Sequence, residues 1–78
     1  KPAFGSTELA RFAAEGAFAE AELIGVCTDI CVISNALLLK AFAPELCVSV
    51  RADCCAGATP AGHETALAAM RACQVDIV

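Results

Sequence analysis

Apolar positions along this chain switch between helical spacing and short unbroken runs, and Gly and Pro separate the segments. Ser6 or Thr7 is placed to cap a first helix that reaches about Glu15, with Leu9, Phe12 and Ala13 on one face, and Gly16 ends it. The run Glu22-Leu23-Ile24-Gly25-Val26-Cys27 reads as a buried strand. Thr28 suits the N-cap of a second helix from about Asp29 to Phe42, with Asp29 in the first turn where the helix dipole favours negative charge. Pro44 stops it. Leu46 to Ala52 predicts a second strand and Asp53 to Ala58 a loop. Thr59-Pro60 combines a cap with Pro at the first helical position and opens a third helix to about Cys73. Gln74 to Val78 predicts a third strand.

Strands joined by crossover helices pair in parallel with right-handed connections, so the expected class is α/β. Unbroken apolar strands imply cover on both faces of the sheet. The second helix carries Ile30, Val32, Ile33, Leu37, Leu38, Leu39 and Phe42 on nearly every side, which predicts burial all round. Its Ser34 and Asn35 need partners, and a subunit interface is one source of them.

Composition sharpens this picture. The 78 residues are 59% hydrophobic and 18% charged, enough for one small domain and too apolar for a disordered chain. A membrane-spanning helix needs ~18 uninterrupted apolar residues. The longest charge-free runs here have ten, from Ile30 to Leu39 and from Cys54 to His63. No signal-peptide pattern opens the chain, and it does not start with Met. The expectation is a single partial domain over residues 1–78, located in the cytoplasm, whose surplus apolar surface meets further protein. A net charge of −4 speaks against nucleic acid or an anionic membrane as partner.

The six Cys stand at positions 27, 31, 47, 54, 55 and 73. Without a secretory signal and with long regular elements, they read as reduced thiols. Cys47 and Cys73 sit in apolar surroundings and read as small core residues. No C-x-x-C pair occurs, and the single His63 is not at ligand spacing from any Cys, so no metal site is expected within the chain. His63, in the first turn of the third helix, reads as a structural hydrogen-bonding group.

In open α/β sheets ligands bind at the carboxyl ends of strands, where helix N-termini point. The segment there is Gly25-Val26-Cys27-Thr28-Asp29-Ile30-Cys31-Val32. It puts Cys31 in the first turn of a helix, where the dipole and backbone N–H groups favour a thiolate. Such a thiolate is a nucleophile for an acyl carbon. From spacing alone, the other reading, Cys31 as a small packed residue on a buried helix, has the edge.

That segment resembles the nucleophile motif of the isochorismatase-like cysteine hydrolases, the superfamily of nicotinamidases. Lys1-Pro2-Ala3-Phe4-Gly5-Ser6-Thr7-Glu8-Leu9 is similar to the family's lysine segment. Arg51-Ala52-Asp53-Cys54-Cys55-Ala56-Gly57 with His63-Glu64-Thr65-Ala66-Leu67 resembles its next strand, loop and helix. The resemblance implies a three-layer α/β/α sandwich around a parallel, Rossmann-like sheet, of which this chain supplies three strands and three helices as the C-terminal part. It implies Cys31 as nucleophile, Lys1 as catalytic lysine, a cis peptide between Val26 and Cys27, and the backbone N–H groups of Cys27 and Cys31 as oxyanion hole. Thr28 and Asp29 would organise the site. The family's catalytic Asp, and the Asp and His ligands that many nicotinamidases use for a divalent metal such as zinc, have no counterparts among these residues.

The implied activity is hydrolysis of the C–N bond of a small amide such as nicotinamide through a thioester on Cys31. The full-length protein is expected to be a homo-oligomer and this chain inactive alone. Three other readings are an isochorismatase-type ether hydrolase, a redox or metal-binding module built on Cys27/Cys31 or Cys54/Cys55, and a catalytically silent interaction domain of the same fold.

Overall fold

The computed structural model describes residues 7–16 and 18–78. Its elements in chain order are α1 (Thr7–Ala14), β1 (Glu20–Val26), a π-type turn (Thr28–Val32) running into α2 (Ile33–Phe42), β2 (Cys47–Ala56), α3 (Pro60–Ala72) and β3 (Asp76–Ile77). Among the described residues the three strands form one parallel sheet in the order β1-β2-β3. This is the expected α/β arrangement of a parallel sheet with crossover helices.

Sequential parallel strands with right-handed crossovers place both connecting helices on the same face. In agreement, α2 packs against β2, α3 against β2 and β3, and the two helices touch each other, while α1 leans on α2. The core lies between sheet and helices. It is built from Val32, Ala36 and Leu39 of the second helical segment, Val48 and Val50 of β2, Ala66, Leu67 and Met70 of α3, and Val75. Along β1 the half-buried residues Ala21 and Leu23 alternate with the exposed residues Glu20, Glu22 and Ile24, the period-two signature of a strand with one covered face. On the open face Arg51 pairs with Glu22 at 3.3 Å. No described helix is long and apolar enough to cross a membrane.

The ends of the elements explain most departures from the sequence reading. Gly16 closes α1 at φ +78°, donating its N–H to Ala13 O at 3.1 Å, as its position suggests. The buried face of α1 is Leu9, Ala10 and Ala13; Phe12, expected with them, is half exposed. At the far end of α3, Gln74 takes φ +69°. Its N–H donates to Arg71 O at 3.0 Å and that of Val75 to Met70 O at 2.9 Å. These are the two bonds of a Schellman cap, completed by contact between the buried side chains of Val75 and Met70. Gln74 therefore belongs to a turn, and β3 shortens from the expected Gln74–Val78 to Asp76–Ile77.

Two further expectations are corrected. Asp53 to Ala56 is strand, not loop. The β1–β2 register runs from Leu23↔Val50 to Gly25↔Cys55, so residues 51–54 bulge opposite Ile24 before pairing resumes. The second helix is not buried all round: Leu37, Ala41 and Phe42 are exposed while Val32, Ala36 and Leu39 face the core. The residues Lys1 to Ser6, including the capping alternative Ser6, lie outside the described residues.

Candidate active site

The carboxyl end of β1 leads directly into the candidate site. Gly25 has φ +123°, a conformation open chiefly to glycine, and the Val26–Cys27 peptide bond is cis. Cys27 is extended, and its carbonyl accepts hydrogen bonds from the N–H groups of Ile30 at 3.0 Å and Val32 at 3.1 Å. The second spans five residues and makes the turn π-type, a geometry concentrated at functional sites. Cys31 is the fourth residue of this turn, half-buried at the carboxyl edge of the sheet.

The polar side chains of the turn hold it in place. Thr28 is fully buried. Its Oγ1 and His63 Nδ1 share a hydrogen bond of 2.7 Å, in which the hydroxyl donates when the ring proton is on Nε2. This corrects the expectation that Thr28 caps the helix. The N-cap position falls to Cys27, without a side-chain cap bond, because the helical path starts one residue earlier as the π-type turn. Asp29 Oδ1 accepts from the N–H of Ala58 at 3.0 Å, tying the turn to the loop before α3. Ser34 Oγ donates to Ile30 O at 2.5 Å and Asn35 Nδ2 to Cys31 O at 2.9 Å. Both polar residues thus find partners one turn back in their own helix.

The loop and the start of α3 come close to this turn. Thr59 caps α3 by accepting from Gly62 N–H at 2.9 Å. A Cβ added at Gly57 would lie 2.8 Å from the backbone nitrogen of His63, and one added at Gly62 would collide with the Asp29 carboxylate. Beside them a hollow of about 300 Å³ is lined by Cys55, Gly57, Thr59, Pro60 and His63 among others. The sequence marks this approach only faintly, as two Gly flanking Thr59-Pro60. The partnership of Thr28 with His63 has no sequence signal, because they stand 35 residues apart. A second cleft, of about 450 Å³ between Phe18, Phe42, Pro44 and Leu46, includes none of these residues.

All six cysteines are free thiols. Cys47 and Cys73, expected in the core, are exposed, as is Cys54. Cys47 lies on the face of β2 away from the helices, alternating with buried Val48, and Cys73 is the C-cap of α3. Cys55 is half-buried beneath Leu23 O, and burial pushes its thiol up from the ordinary cysteine range against a lowering backbone contact at Gly25. Among the described residues no three His, Cys, Asp or Glu side chains gather where they could hold a metal ion, and Nδ1 of the single His is engaged by Thr28. The described residues therefore do not fit a divalent metal site. Lys1, assigned as catalytic lysine by resemblance, lies outside the described residues.

Comparison with known proteins agrees with this architecture. The isochorismatase domain family matches residues 2–78. A pyrazinamidase of Pyrococcus horikoshii, solved in complex with zinc, superposes with a TM-score of 0.84 at 27% identity, covering 100% of this chain and 44% of its own. A nicotinamidase from Staphylococcus aureus superposes with a TM-score of 0.76 at 31% identity, covering 90% of this chain and 44% of its own. No curated protein sequence matches significantly. The chain belongs to the isochorismatase family, and it spans less than half the length of these two structures.

Proposed function

We propose that this chain carries the nucleophile of a cysteine hydrolase that cleaves the C–N bond of a small amide, with nicotinamide and pyrazinamide as first candidates. The observation that carries this reading is the placement of Cys31, a half-buried thiol in the π-type turn at the carboxyl edge of a parallel sheet. The similarity to a pyrazinamidase and a nicotinamidase supports the substrate class.

In the proposed reaction a carboxylate base takes the proton of the Cys31 thiol, and Lys1 stabilises the resulting ion pair. The thiolate adds to the amide carbonyl, and the N–H groups of Cys27 and Cys31 bind the oxyanion. The C–N bond breaks as the base returns its proton to nitrogen, so ammonia leaves and an acyl thioester remains. Water, deprotonated by the same base, attacks the thioester and releases the acid and the thiol. Asp29 is not offered as the base, since its carboxylate is engaged by Ala58. Asp53 and Asp76 lie on other elements, β2 and β3. The resemblance assigns the base to an Asp with no counterpart among these residues, so the chain alone should lack activity.

The test is ammonia release from nicotinamide and pyrazinamide by the intact protein and its Cys31→Ala variant. Loss in the variant, with a trapped acyl adduct on Cys31 in the parent, is expected. A Cys31→Ala protein that still released ammonia would overturn the reading.

A further inference from the structure

The bond between Thr28 and His63 has no part in the reaction just described, yet it is a principal tether of the turn that carries Cys31. Thr28 is the one fully buried polar side chain among the described residues, and the hydrogen-bond partner of its hydroxyl is the His63 ring. The two belong to elements separated by all of β2, so the bond fixes the start of the Cys31 turn against the first turn of α3. A second tether runs in parallel, from the Asp29 carboxylate to Ala58 N–H. The backbone is shaped for this approach: Gly57 leaves no room for a Cβ against His63, and Gly62 none against Asp29.

We propose that His63 is a positioning residue for the Cys31 nucleophile, acting through Nδ1 on the Thr28 hydroxyl and not as an acid or base toward substrate. The proposal rests on the reading of Cys31 as nucleophile. Its physical content is that one ring nitrogen matters. Without it Thr28 keeps a buried hydroxyl lacking its partner, and the turn shifts to find another. Cys31, three residues further along, shifts with it. Because His63 also lines the hollow beside the loop, a direct role through Nε2 is the rival that the experiment separates.

The experiment uses the intact protein with nicotinamide as probe. Asn at position 63 places an amide group near the position of Nδ1, whereas Gln extends one near Nε2. His63→Ala and His63→Gln should lower kcat by about ten- to hundredfold, the scale of a misplaced reacting group. KM should change by less than about twofold, since no substrate contact is lost. His63→Asn should recover most of kcat. Thr28→Val combined with His63→Ala should be no worse than His63→Ala alone, because both remove one shared bond. A parallel readout independent of turnover is the pH profile of iodoacetamide labelling at Cys31, which should move in His63→Ala and return in His63→Asn. Rescue by Gln but not Asn, strictly additive losses, or a His63→Ala protein that melts earlier but keeps its parent kcat and labelling profile would each overturn the proposal. If Cys31→Ala retains activity, the assignment of the nucleophile fails instead, and the labelling profile still decides whether His63 sets the Cys31 turn.

Discussion

The Asp29 carboxylate accepts a hydrogen bond from the backbone N–H of Ala58 at 3.0 Å, joining the turn after β1 to the loop after β2. Two crossovers of a parallel sheet are thereby stitched at their carboxyl ends, in parallel with the Thr28–His63 bond.

This bond needs an acceptor oxygen more than a charge. Asp29→Asn should keep most of the stability of the intact protein, while Asp29→Ala should lose about 1 kcal/mol, the usual net worth of such a hydrogen bond. Urea unfolding of the two variants checks it. Gly62→Ala should cost no more than Asp29→Ala, since the new methyl group displaces the end of the Asp29 side chain and at most breaks the same bond.

Thr59 offers a cleaner measure of local helix energetics. Its side chain accepts from Gly62 N–H at 2.9 Å, and Thr59→Ala should destabilise by about 1 kcal/mol, with Thr59→Ser and Thr59→Asp close to the parent. Thermal melting at neutral pH gives the comparison.

Gln74 occupies a left-handed position in the Schellman cap of α3. A non-glycine residue there costs about 1–2 kcal/mol, of which glycine's extra freedom in the unfolded chain takes back roughly half. Gln74→Gly should therefore raise stability by about 0.5–1 kcal/mol, a gain without any new contact. Met70→Ala, by contrast, empties a fully buried site beneath the same cap and should cost about 2–5 kcal/mol.

The thiol of Cys55 is pushed up by burial. It stays protonated to higher pH than an ordinary cysteine thiol, so alkylation followed at this residue should set in above the ordinary cysteine range as pH rises. The sign for stability follows from the raised folded value: the contribution of the neutral thiol is intact below the unfolded pKa and is lost as pH climbs through the folded one. Cys55→Ala should flatten the alkaline limb of a stability–pH curve.

Local signals carried the fold well and the site unevenly. Gly16, Pro44 and Thr59-Pro60 act within a few residues of themselves, so the elements they punctuate are legible from the sequence. The extension of β2 through Ala56 was not, because it depends on Gly25 accepting a partner three residues out of register. Cys47 looked like core from its apolar neighbours, yet strand alternation turns it outward while Val48 turns in. Within the site, Cys31 stands out by its place after an apolar strand. The burial of Thr28 against His63 is set by how α3 returns over the sheet, a relation between segments that no local pattern encodes.

The position of β1 in the sheet has one more consequence. Among the described residues it is one of the two edge strands in the order β1-β2-β3, and the turn that carries Cys31 follows its carboxyl end. A neighbouring strand laid parallel on that margin would run roughly 5 Å away and end beside the thiol. Under the proposed function, the reacting centre is a seam: these residues make one lip, and a strand paired to β1 makes the other.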